Sequence, residues 1–149
     1  MNSVNTGYGK QNVSELKLRV LYADTDKMGI VYHSNYFRWF EAGRGKYMRT
    51  RALPYSITEN AGVQLPLVEA GIKYHKPAIY EDIITIRTAV VNISPVVVHF
   101  EYEIFKDAVL LVTGFTKHAA INKNGRPTRV PENLVAALNS VETIADEPL

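Results

Sequence analysis

Residues 24–44 read D-T-D-K-M-G-I-V-Y-H-S-N-Y-F-R-W-F-E-A-G-R. Two carboxylates (Asp24 and Asp26), Gly29, His33 and a run of aromatics share this one segment. It lies between a strand-like pattern and a helix-like one. A helix start leaves backbone N–H groups without intrahelical acceptors, and these donors favour developing negative charge. A carbonyl oxygen held near residues 33–36 is polarised there as an oxyanion forms. One such donor is worth about 2.7–4 kcal/mol in the transition state. Asp26, in the loop just before, then attacks the carbonyl carbon or deprotonates a water that does so.

That kit suits some carbonyl substrates better than others. An amide needs its leaving nitrogen protonated. A thioester releases a thiolate whose conjugate acid, if it resembles Cys, has a pKa of about 8.5. A carboxylate with an oxyanion site therefore suffices for a thioester and is weak against a peptide bond.

Other chemistries fit poorly. Asp24-x-Asp26 with Gly29 begins like a calcium loop, but Met28 and Asn35 stand where ligating acids are needed. Phosphoryl-transfer aspartates sit on alternating strand–helix folds, which this chain does not predict. There is no G-x-S-x-G and no H-E-x-x-H. With no cysteine, disulfides, thiolate metal sites and a thiol nucleophile are excluded. No metal or organic cofactor is implied. His75, His99 and His118 fall in strand patterns without ligand spacing and read as half-exposed strand residues.

The elements that position the segment follow from periodicity. Residues 16–22 alternate as a strand, and residues 24–34 form the loop. Residues 35–51 read as a helix with Tyr36, Phe40, Gly43 and Tyr47 on one face. Gly43 and Gly45 cost helix propensity and are expected to admit another backbone. Residues 55–61 suggest a short helix stopped by Gly62. Extended segments follow over 64–75 (bent at Gly71), 82–93, 96–105 and 109–121. Turns are expected at Lys76-Pro77-Ala78, Ser94-Pro95, Lys106-Asp107 and Asn124-Gly125, with a short helix over 131–138. The order predicts an α+β fold in which a mostly antiparallel sheet buries one face on the long helix.

The 149 residues suit one domain, expected over 14–140, with a flexible leader over 1–13 and a frayed tail over 141–149. Hydrophobic residues at 46% and charged residues at 21% are ordinary for a soluble globular chain. A net charge of +2 does not suggest a nucleic-acid partner. No apolar run reaches membrane-spanning length, and the polar start lacks a signal-peptide core, so a cytoplasmic location is the default.

The segment resembles the hotdog-fold acyl-CoA thioesterases of the hydroxybenzoyl-CoA and Tol-Pal-associated type. The residues that carry the resemblance are Asp24-Thr25-Asp26, Gly29-Ile30-Val31-Tyr32-His33, Asn35-Tyr36, Trp39-Phe40-Glu41 and Arg44. Weaker likeness runs through Tyr74, Pro77-Ala78, Tyr80-Glu81-Asp82, Thr113-Gly114 and residues 125–131. The resemblance implies a hotdog fold, a five-stranded antiparallel sheet wrapped around one long helix. It implies an acyl-CoA substrate and a homodimer or homotetramer with active sites between subunits. It makes Asp26 the catalytic carboxylate and the backbone N–H of His33 the carbonyl polariser. The His33 side chain places the chain nearer the Tol-Pal-associated branch, and for His33 a catalytic side-chain role stands equal to a purely backbone one.

The remaining residues divide between structure and substrate. Asp24 is expected to brace the loop. Gly29 supplies positive φ or room for substrate. Val31, Tyr32, Asn35, Tyr36 and Glu41 are substrate-contact candidates. For Asn35 a loop hydrogen bond is the stronger reading, and for Tyr36, Trp39 and Phe40 it is a place in the core. Glu41 matches a substrate-contacting acid of the hydroxybenzoyl branch, or pairs with Arg44. Lys117, Lys123, Arg126 and Arg129 read as a solvated basic face rather than a CoA phosphate site. Two other functions share the resemblance: an acyl hydratase or dehydratase using Asp26 and His33, and a non-catalytic acyl-CoA-binding protein.

Overall fold

Tyr36, Phe40, Gly43 and Tyr47 recur at helical spacing, and all four are buried along the inner face of the helix Asn35–Arg49, α1. The computed structural model describes residues 12–51 and 62–146. Around α1 run the strands Val13–Arg19 (β1), Leu67–Tyr74 (β2), Ile83–Ile93 (β3), Val97–Lys106 (β4) and Val109–Ala119 (β5). A short helix, Glu132–Leu138 (α2), follows. The strands form one antiparallel sheet in the order β1-β3-β4-β5-β2. The expected five-stranded sheet around one long helix is thus observed.

Alternation puts Ile84, Ile86 and Val90 of β3 in the core with Val98, Phe100, Tyr102 and Ile104 of β4. Phe40 stacks on Tyr102, with ring centroids 4.3 Å apart. Gly43 is where the helix backbone meets the sheet. A Cβ there would lie 2.4 Å from Thr88 Oγ1 and 2.9 Å from Ile86 Cγ2. Gly45 does not share that role. Its Cβ would meet only the flexible end of Arg49.

The expected boundaries shift in three places. The first strand starts at Val13, paired with Ala89, and stops at Arg19. Val13 therefore belongs to the sheet and not to a leader. The chain then turns through a single 3₁₀ turn, Tyr22–Asp24, where the Asp24 carboxylate takes the Leu21 N–H at 2.8 Å. Second, β2 does not pair with β3, the next strand. It lies at the far edge on β5, with Gly71 opposite Phe115. The β2–β3 connection contains Pro77 and is held by Val31 N–H to Ala78 O at 2.9 Å and a bridge between Ile30 and Ile79, so it serves as a wall and not as a hairpin.

Third, the segment after α2 is tied down. The N–H groups of Thr143 and Ile144 donate to Thr50 O at 2.9 and 3.1 Å, which satisfies a carbonyl at the end of α1. Arg49 grips Asp146 with bonds of 2.9 and 3.1 Å. Buried Arg51 lies 3.5 Å from the centre of the Tyr47 ring. The expected helix over 55–61 lies outside the described residues, as do residues 1–11 and 147–149. Among the described residues, no helix is long and apolar enough to cross a membrane.

Candidate active site

The loop between β1 and α1 is built on Asp24. Its side chain is buried, with Oδ2 accepting from Leu21 N–H and Oδ1 paired with Arg38 Nη2. Its carbonyl accepts Tyr32 N–H at 2.9 Å and the Asn35 side-chain amide at 2.8 Å. Asp24 is thus the brace expected of it, and Asn35 makes the loop hydrogen bond that was the stronger reading.

Asp26 sits two residues on, in a tight turn. Its N–H donates to Ile30 O at 2.9 Å, and its carbonyl accepts Gly29 N–H at 3.0 Å. Gly29 closes the turn with φ +80°, a conformation few L side chains adopt. The Asp26 carboxylate accepts Met28 N–H at 2.8 Å, which fixes one oxygen. That is the one hydrogen bond to this carboxylate among the described residues, so its other oxygen is left to a ligand or water.

Asp26, Val31, His33 and Tyr36 line one open pocket of about 300 Å³. Met28, Ile30, Tyr74, His75, Lys76 and Pro77 complete its walls. Most of this lining is apolar, and Asp26 is its one carboxylate. Lys76 and His75 stand on the opposite wall. His75 Nε2 lies 3.0 Å from Thr113 Oγ1.

The start of α1 is unquenched. Ser34 makes no side-chain cap, and no acid lies in the first turn. Among the described residues, the N–H groups of His33 and Ser34 have no acceptor. The His33 carbonyl, by contrast, accepts the Tyr74 hydroxyl at 2.7 Å. The His33 ring is exposed and packs on Tyr32, centroids 4.2 Å apart.

Not every candidate converges here. Gly29 shapes the wall between Met28 and Ile30 without lining it, and Tyr32 and Asn35 also stay outside the lining. Glu41 is exposed and away from the pocket, and its pairing with Arg44 does not form. Arg44 turns inward instead and donates to Tyr102 OH at 3.1 Å. Tyr36 belongs to both core and pocket. Its hydroxyl reaches the Ala78 N–H at 3.4 Å, and burial pushes its pKa up. Trp39 and Phe40 are core.

The wall from Tyr74 to Pro77 was not singled out by spacing. It arrives by the pairing of β2 with β5, far along the chain from the loop. The Tyr74 and Pro77 matches of the family resemblance were the one sequence signal for it.

His118 is not half-exposed. It is 3% exposed, with Nε2 on Thr116 Oγ1 at 2.9 Å and Nδ1 on Leu65 O at 3.1 Å. Burial, helped by nearby Arg44, lowers its pKa to about 4. Of the basic residues, Lys117 pairs with Glu69 at 3.7 Å. Among the described residues, no cluster of His, Asp or Glu could hold a metal ion.

Comparison with known proteins agrees with the fold. The family model described as the thioesterase-like superfamily matches residues 20–138. A protein of Bacillus subtilis with the provisional name acyl-CoA thioesterase is 34% identical over 113 residues, 75% of this chain and 82% of its own. A crystal structure of a hypothetical protein from Thermus thermophilus superposes with TM-score 0.80 and 36% identity, covering 84% of this chain and 96% of that one. The crystal structure of a DHNA-CoA thioesterase from Staphylococcus aureus gives TM-score 0.74 and 32% identity, over 78% and 80% of the two chains. The chain therefore belongs to the thioesterase-like superfamily and is a hotdog-fold thioester hydrolase.

Proposed function

We propose that the chain hydrolyses an acyl-CoA thioester to the free acid and CoA, with Asp26 as the catalytic carboxylate. The supporting observation is that Asp26 and His33 line the same largely apolar pocket while the N–H at His33 has no acceptor among the described residues. A thioester carbonyl seated there has a donor for its oxygen and a carboxylate for its carbon. Asp26 either attacks the carbonyl carbon to give an anhydride and release the CoA thiolate, with water then cleaving the anhydride to the free acid and restoring Asp26, or takes a proton from the water that attacks. Both routes end in the free acid and the thiol. The His33 N–H and the start of α1 stabilise the oxyanion in both.

The acyl-CoA preference is carried by the Bacillus subtilis relative, whose name states that substrate. Val31, Tyr36, Met28 and Ile30 provide an apolar surface for the acyl part. Gly29, Tyr32 and Asn35 shape the turn around it, and Glu41 is exposed outside its lining.

The protein works as a homodimer or homotetramer in this reading. The edge strand β2 leaves Leu67 and Val68 more than half exposed, at 54% and 58%. An open apolar edge is a template for pairing. Sedimentation equilibrium of the full chain tests this: a monomer at all concentrations contradicts it.

Release of free thiol from acyl-CoA, followed with a thiol reagent, tests the activity. A hydratase would consume an enoyl-CoA without freeing thiol, and a binding protein would saturate with acyl-CoA without turnover.

A further inference from the structure

Tyr74 lies at the end of β2, and its hydroxyl donates to the His33 carbonyl at 2.7 Å. That carbonyl belongs to the peptide joining His33 to Ser34. The other end of the same peptide is the Ser34 N–H, which has no acceptor among the described residues. A hydrogen bond to an amide oxygen draws charge along the amide and makes its N–H a better donor. It also fixes the plane of the peptide. Both effects act on the turn that carries the His33 N–H.

Tyr74 is itself held. Its ring meets the Tyr36 ring edge to face, centroids 5.5 Å apart. Its strand pairs with β5 at Tyr74 opposite Val112. Burial pushes the phenol pKa up, so the hydroxyl stays protonated and donating through the neutral range. The bond therefore joins two rigid elements, the far sheet edge and the start of α1, across the mouth of the pocket that both residues line.

We propose that Tyr74 is a positioning residue for the hydrolysis read above. Its hydroxyl, through the His33 carbonyl, fixes the turn that presents the His33 N–H to the oxyanion. The inference rests on that hydrolysis reading and adds to it the residue that holds its backbone donor in place. Tyr74 touches no reacting atom in this account.

An oxyanion donor is used in the transition state and little in the ground state, so its loss lowers kcat rather than raising KM. The test is steady-state thiol release by Tyr74→Phe against wild type, with binding of a non-hydrolysable thioether analogue measured alongside. The expected result is a kcat lower by about tenfold, with KM and analogue affinity within about twofold of wild type. An unchanged kcat overturns the proposal. So does a raised KM at constant kcat, which would make Tyr74 a ground-state contact. Should Tyr74→Phe not fold, Tyr74→Gln and Tyr74→Leu replace it: Gln keeps a donor, and equal kcat values for the two overturn the proposal. Asp26→Asn separates the two claims. Full hydrolysis by Asp26→Asn removes the parent reading, whereas a dead Asp26→Asn beside an unaffected Tyr74→Phe removes only the role of Tyr74.

Discussion

Arg38 donates to the buried carboxylate of Asp24, an ion pair that ties the second turn of α1 to the loop ahead of it. The pair separates the two acids of the D-x-D. Asp24 spends both oxygens on protein, one on Arg38 and one on the Leu21 N–H. Asp26 gives one oxygen to Met28 N–H, and the other has no partner among the described residues. In the proposed hydrolysis the chemistry falls to the acid with spare capacity, and the other braces the loop.

Replacing Asp24 by Asn should therefore act first on stability. The neutral amide leaves Arg38 without its charge partner beside a buried site. We expect a loss of about 2 kcal/mol, or about 4–8 °C in melting temperature. Calorimetry at pH 7 measures it. An unchanged melting temperature would show that Asp24 does not brace the loop.

The two helix glycines should respond in opposite directions. Gly43→Ala drives a methyl into Thr88 and Ile86, and the strain outweighs the better helix propensity, for a net loss of about 1–3 kcal/mol. Gly45→Ala meets only the movable end of Arg49 and should gain about 0.5–1 kcal/mol. Urea unfolding of both variants checks the pair of signs.

His118 gives the fold a pH dependence of known sign. Its pKa in the fold is about 4, below the ordinary value of 6.5, so the unfolded chain binds the extra proton first. The stability linked to neutral His118 is complete above pH 6.5 and is lost as pH falls from there towards 4. Between pH 7 and pH 5 the loss is on the order of 2 kcal/mol. His118→Gln, which carries no titrating ring, should flatten the slope of stability against pH over that window. An unaltered slope contradicts the assignment.

The sheet and the helix were legible because one face of each is apolar at the right period. Ile84, Ile86, Thr88 and Val90 alternate as a buried strand should, and Tyr36, Phe40, Gly43 and Tyr47 fall on the buried stripe. The partner of β2 was not legible, because edge position depends on a crossover that leaves no local pattern. The pocket was half legible for the same reason. Its first wall, Asp26 to Tyr36, is contiguous in sequence, while Tyr74 to Pro77 reach it only through that crossover. Glu41, carried over by resemblance, is exposed and outside the lining of this pocket. The segment 141–146, polar in part and late in the chain, reads as a tail, yet it supplies the donors that end α1.

The central claim is that Asp26 performs the chemistry. Asp26→Asn keeps the Met28 N–H bond through its amide oxygen and removes only the charge and the basicity. Thiol release from a panel of aliphatic and aromatic acyl-CoAs should fall by about 10³-fold or more in kcat for every substrate that the wild-type chain cleaves, at an unchanged melting temperature. Wild-type turnover by the folded Asp26→Asn variant would contradict the account.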